Sequence, residues 1–100
     1  MTTTTRKLRI EAEHPALAGH FPGEPLVPAS VLLGALHDII SELYSDCRVG
    51  TLQHAKFFSP LRPAQDANIE IESQDHLIQF RIWRGTDIIS MGTFILAPED

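Results

Sequence analysis

From Ala29 to Tyr44 the chain reads "ASVLLGALHDIISELY", the one stretch with convincing helical periodicity. Leu32, Leu36, Ile39, Ile40 and Leu43 recur at helical spacing, and Val31, Leu33 and Ala35 put apolar groups on the other sides of the first half. A helix that is apolar nearly all round has to be buried. The exceptions, Gly34, Asp38, Ser41 and Ser45, share one face, and Ser30 is placed to cap the N-terminus. The rest of the chain has to wrap this helix.

That rest reads as strands and turns. In "KLRIEAEH", Leu8, Ile10 and Ala12 alternate with Arg9, Glu11 and Glu13, the period of a strand with one buried face. The threonines before it, residues 1–5, read as a flexible N-terminal tail, with the folded domain spanning 6–100. After "SDCRVG" come strands at about 49–58, 67–73, 77–84 and 87–96, joined by the turn-like "SPLRPAQD", "SQDH" and "RGTD". One strand, one buried helix and four further strands predict an α+β domain, an antiparallel sheet wrapped around the helix.

Length and charge narrow the function. One hundred residues, 43% of them hydrophobic, suit a single core, and a domain of this size leaves apolar surface that a dimer would hide. The net charge is −5 and the eight basic residues are scattered, which argues against nucleic acid or an anionic membrane surface as partner. Cys47 is the single cysteine, so neither an intramolecular disulfide nor a cysteine-based metal site can form, and a lone thiol suits a reducing cytoplasm. His14, His54 and His76 lack ligand spacing, so no metal is expected. Neither a signal peptide nor a membrane-spanning run is evident.

Between Pro15 and Pro28 the chain holds four prolines and two glycines, a rigid path that can aim a side chain. Its second half runs into the helix as "GHFPGEPLVPASVLLGAL". This stretch resembles the hot-dog-fold 3-hydroxyacyl-acyl-carrier-protein dehydratases of the FabA/FabZ type. Their signature is "HFP", a second proline, then "P-G-V-L" opening the central helix. "AKFFSPLRPAQDANIEI" is similar to the family's later "KF…P..PG" element, and the short length is closest to the small dehydratase-like proteins of aryl-polyene clusters. The resemblance implies a dimer, of like or unlike subunits, with a continuous sheet and an acyl tunnel at the interface. It implies an acyl-carrier-protein or coenzyme A thioester as substrate, and no cofactor. His20 matches the family's catalytic histidine, and Phe21, Pro28, Ala29, Ser30, Val31, Gly34 and Phe57 are the expected substrate-binding residues. The family's acid, six residues after the helix-opening proline, falls on Gly34, and Ala29 replaces the glycine that follows that proline.

Dehydration removes a proton from C2 of the acyl chain and expels hydroxide from C3. A histidine, with an ordinary pKa of about 6.5, suits the first step, which makes His20 the base. The unpaired N–H groups of Ala29 to Val31 at the positive end of the helix suit the thioester oxygen. The second step needs an acid, a group that typically contributes ~10²–10⁴-fold in rate, and Gly34 has nothing to give. Asp38 lies one turn on, ~5 Å along the helix, and is the substitute candidate. His37 and Glu24 read as surface residues and Phe57 and Phe58 as core, one of them free to line a tunnel. Arg48, Lys56, Arg62, Arg81 and Arg84 read as solvated charges, a subset of which could meet an acidic carrier protein. Two rivals stay open: a non-catalytic acyl-binding or partner subunit, and a hot-dog thioesterase.

Overall fold

A computed structural model describes residues 2–11, 27–45 and 47–98. The elements follow in the order β1 (Thr2–Leu8), α1 (Ala29–Leu43), β2 (Cys47–Phe57), β3 (Ala67–Gln74), β4 (Leu77–Arg84) and β5 (Asp87–Pro98). The strands form one sheet in the order β1-β3-β4-β5-β2, antiparallel at every pairing. With one helix laid against this sheet, the chain has the α+β hot-dog architecture that the resemblance implies.

Alternation decides which face carries the helix. Ala67, Ile69 and Ile71 on β3 and Ile78, Phe80 and Ile82 on β4 are buried, and the residues between them are more exposed. Phe94 and Leu96 extend that face onto β5. Leu32, Leu36 and Ile40, one stripe of α1, complete a single hydrophobic cluster with these residues. The other apolar helix residues, Val31, Leu33, Ala35, Ile39 and Leu43, are only partly buried. The helix is therefore less enclosed by its own chain than its all-round apolarity predicts.

Two details hold β5 between its neighbours. Gly92 lies opposite Phe80 and Ala55, and a Cβ there would collide with the Phe80 ring and the His54 carbonyl. Its lack of a side chain lets the Phe80 ring cross the strand and meet Phe94, with ring centroids 5.6 Å apart. Ser90 is fully buried at an irregularity in the β4 pairing, and its hydroxyl donates to the Lys56 carbonyl at 2.8 Å.

The start of the chain departs from the sequence reading. The threonines expected to fray are the body of β1, paired with β3 from Thr2 opposite Ser73 to Leu8 opposite Ala67. Threonine's branched side chain suits extended backbone, and β3 supplies the ladder. The apolar alternation begins only at Leu8, so it placed the strand too far downstream. Ile10 is buried beyond the strand, and Ala12 lies outside the described residues. Arg9, just past β1, pairs with Glu11 at 3.0 Å and Asp66 at 3.3 Å. The hydrogen bond to Asp66, then the charge of Glu11, raises its pKa above the ordinary arginine value. Among the described residues, no helix is long and apolar enough to cross a membrane.

Candidate functional site

The helix opens at Pro28. This residue, extended at φ −61° and ψ 149°, is the N-cap, and its carbonyl accepts the N–H groups of Val31 and Leu32, each at 3.1 Å. Ser30, expected to cap the helix, sits inside the first turn, and no side chain caps the end. Proline fixes the backbone angle that the turn requires, and its carbonyl opens the helical ladder, so no capping hydroxyl is needed. Of the three amides expected to serve a thioester oxygen, Val31 is thus committed to the helix, and Ala29 and Ser30 have no hydrogen-bond acceptor among the described residues. The first turn carries no acidic side chain that would neutralise its positive end from within the helix.

Two open cavities flank this helix start. One, about 330 Å³, is lined by Ala29 and Leu32 of α1, Phe57 at the end of β2, Phe58, Val27, Ile89 and the turn Ser59 to Leu61. The other, about 340 Å³, is lined by Val31, Gly34, Ala35, His37 and Asp38 of α1 and by Ile10. The expected site residues are thereby divided: the substrate residues Ala29 and Phe57 meet in the first cavity, and Val31 and Gly34 share the second with Asp38, the substitute acid. His20 and Phe21 lie outside the described residues, so their place relative to either cavity is not part of this geometry.

Gly34 has open space around it. Among the described residues, a Cβ built there meets nothing within 4 Å, so no packing among them demands a glycine. Asp38 is exposed over 87% of its side chain, with its Oδ1 3.9 Å from His37 Nδ1. It stands at the rim of the second cavity, in water.

Sequence reading placed the turn before β3 but missed that it reaches into the core. Leu61, placed in a surface turn, is 2% exposed and belongs to the core. Its carbonyl accepts the Val27 N–H at 2.7 Å, and the Ile10 carbonyl accepts the Ala64 N–H at the same distance. The turn therefore fastens the residues on both sides of the 12–26 segment. The one sequence signal was Leu61 itself, an isolated apolar residue between two prolines. Among the described residues, no group of three histidine, cysteine or acidic side chains could hold a metal ion.

A single antiparallel sheet with one long helix laid on it defines a hot-dog domain. The chain belongs to the ApeI-like family: the sequence model of the ApeI dehydratase matches residues 1–93. Among curated proteins, none matches this sequence. Solved structures agree on the fold. A chain of the dehydratase heterocomplex ApeI:P from Xenorhabdus doucetiae superposes with a TM-score of 0.83 at 22% identity, over 95% of this chain and 87% of that one. An uncharacterized protein from Erwinia carotovora subsp. atroseptica gives 0.77 at 19% identity, over 96% and 83%. A variant of the fluoroacetyl-CoA thioesterase FlK gives 0.72 at 16% identity, over 96% and 85%. Such low identities carry the architecture and no chemistry.

Proposed function

We propose that this chain is one half of a mixed dehydratase dimer acting on 3-hydroxyacyl thioesters of an acyl carrier protein or coenzyme A, in the cytoplasm. The acyl chains are of the fatty acid or polyketide kind, aryl polyenes included. The observation that carries the reading is Gly34, which stands where the family's acid belongs, with no described residue within 4 Å of where that acid's Cβ would be. A dehydratase-family chain without its acid needs one from elsewhere. Asp38 lies one turn along the helix, ~5 Å from that position, with its side chain exposed to water. The dehydratase heterocomplex among the structural relatives supports the same reading.

In this scheme His20 takes the C2 proton, and the negative charge that develops on the thioester oxygen is met by the Ala29 and Ser30 amides. The partner's helix carboxyl protonates the C3 hydroxyl as the C3–O bond breaks. Water leaves and a C2–C3 double bond remains. The imidazolium then returns its proton, through solvent, to the carboxylate. The opposite site, pairing the partner's histidine with Gly34, lacks an acid, so each dimer has one working site.

Dehydration of a 3-hydroxyacyl thioester, followed with the protein alone and mixed with an acid-bearing partner, tests this. Activity is expected only in the mixture. His20→Ala in this chain should abolish it, and Gly34→Asp should partly restore turnover to the unmixed protein. Strong activity of the unmixed wild type, lost in Asp38→Asn, would overturn the scheme and make Asp38 the acid. The same vacancy at Gly34 supports a second reading, a non-catalytic partner subunit. In that case His20→Ala would leave the mixture active.

A further inference from the structure

The cavity of about 330 Å³ beside Ala29 has an uncharged wall. Among the described residues that line it, Ser59 has the only polar side chain, and the rest are apolar, from the buried Leu32 and Ile89 to the half-exposed Phe57 and Phe58. Such a wall suits an apolar body, whereas an ionised group inside it would give up water and gain no partner. What fixes a ligand's orientation there has to be a hydroxyl or the backbone.

The chain holds Ser59 in place from both sides. Just past the end of β2, the Ile89 carbonyl accepts the Phe58 N–H at 2.8 Å and, more weakly, the Ser59 N–H at 3.5 Å. Pro60 has no N–H with which to continue the ladder, so the chain turns away. Leu61, 2% exposed, then anchors it in the core. The Ser59 hydroxyl makes no hydrogen bond to any described residue. A hydroxyl offers one hydrogen and two acceptor sites, so it can serve a ligand in either sense.

We infer that Ser59 binds the C3 hydroxyl of the acyl chain and so makes this cavity select a 3-hydroxyacyl group over its saturated counterpart. The inference rests on the dehydratase reading above, which sets the thioester oxygen against the Ala29 amide. Ala29 and Ser59 line the same cavity, so a ligand whose carbonyl meets that amide has its next carbons inside this wall. The C3 hydroxyl is the one oxygen on an otherwise apolar chain, and Ser59 is the one hydroxyl in an otherwise apolar wall. When Ser59 accepts the hydrogen of the C3 hydroxyl, the lone pairs of that oxygen stay open to the partner's acid. Once water has left, the unsaturated product gives Ser59 nothing to hold.

Every residue invoked belongs to this chain, so binding can be measured without a partner. Calorimetric titration with 3-hydroxyhexanoyl-coenzyme A and with hexanoyl-coenzyme A gives a Kd for each in wild type, Ser59→Ala and Ser59→Thr, and circular dichroism checks that each is folded. A neutral hydrogen bond is worth roughly three- to tenfold in Kd. Ser59→Ala should weaken binding of the hydroxylated thioester by that factor and leave the saturated one unchanged. Ser59→Thr, which keeps the hydroxyl, should keep the difference. Equal loss for both thioesters, loss for neither, a Ser59→Thr variant that behaves like Ser59→Ala, or no detectable binding by wild type would overturn the inference. No turnover enters these measurements. An inactive mixture whose chain still shows the Ser59-dependent difference would defeat the proposed function alone, and an active mixture whose chain shows none would defeat this inference alone.

Discussion

The two sides of α1 differ more than their sequence suggests. Leu32, Leu36 and Ile40 are 3%, 0% and 0% exposed against the sheet, whereas Gly34, His37 and Asp38 on the same helix face open space. One side anchors the helix and the other is left bare, so stability and chemistry are carried by separate stripes of a 15-residue segment. Residues can then be changed on one side without disturbing the other. The partly buried Val31, Leu33, Ala35, Ile39 and Leu43 lie between the two, and their remaining apolar surface is what a partner subunit would cover.

The largest effect should come from the anchored side. Leu36→Ala removes most of a side chain at the centre of the cluster and leaves a cavity, which should cost about 2–5 kcal/mol. Urea denaturation should show the midpoint falling with an unchanged m-value. A loss well under 1 kcal/mol would mean that the sheet-facing stripe is loosely packed, and the contrast between the two sides would disappear.

Next in size is a test of the surface on which that stripe rests. Gly92→Ala would push a methyl group into the Phe80 ring and the His54 carbonyl, and backbone cannot step aside as a long side chain can. Overpacking of this kind should cost about 1–3 kcal/mol. The same denaturation curves would report it. A neutral outcome would show that Phe80 can rotate away and that the inner face is less fixed than its alternation implies.

How far the sequence could be read depended on whether a residue's environment is local. The strands at 67–74 and 77–84 were legible because apolar and polar residues alternate there and each strand pairs with its neighbour in sequence. β1 was harder to place because its partner, β3, lies some sixty residues away, and nothing in a run of threonines signals that ladder. Leu61 was hidden for the same reason, since its burial depends on contacts with Val27 and the core. The helix start was legible as a site, but its cap was not. A proline carbonyl can begin a helix without a capping hydroxyl, so Ser30 was a false signal. Gly34 could be located by its spacing in the family motif, while the openness around it could only come from the fold.

The smallest effect, and the sharpest test of the bare side, is Gly34→Ala. Glycine in a helix interior costs about 1 kcal/mol relative to alanine, because it gives up more backbone freedom on folding. That gain is usually cancelled where the new methyl group strikes a neighbour, but here it meets nothing within 4 Å among the described residues. The variant should therefore be about 1 kcal/mol more stable, a rise of roughly 4–8 °C in Tm for a domain of this size, readable by calorimetry on the isolated chain. The sign matters more than the size. A fall in Tm would mean that the space beside Gly34 is occupied in solution, either by the chain itself or by a second copy. Gly34→Asp would then have no room for its carboxylate, and the reading of Gly34 as a vacated acid position would fail on steric grounds before any activity was measured. A rise would leave that position open to a side chain, which is the condition that rescue by Gly34→Asp requires.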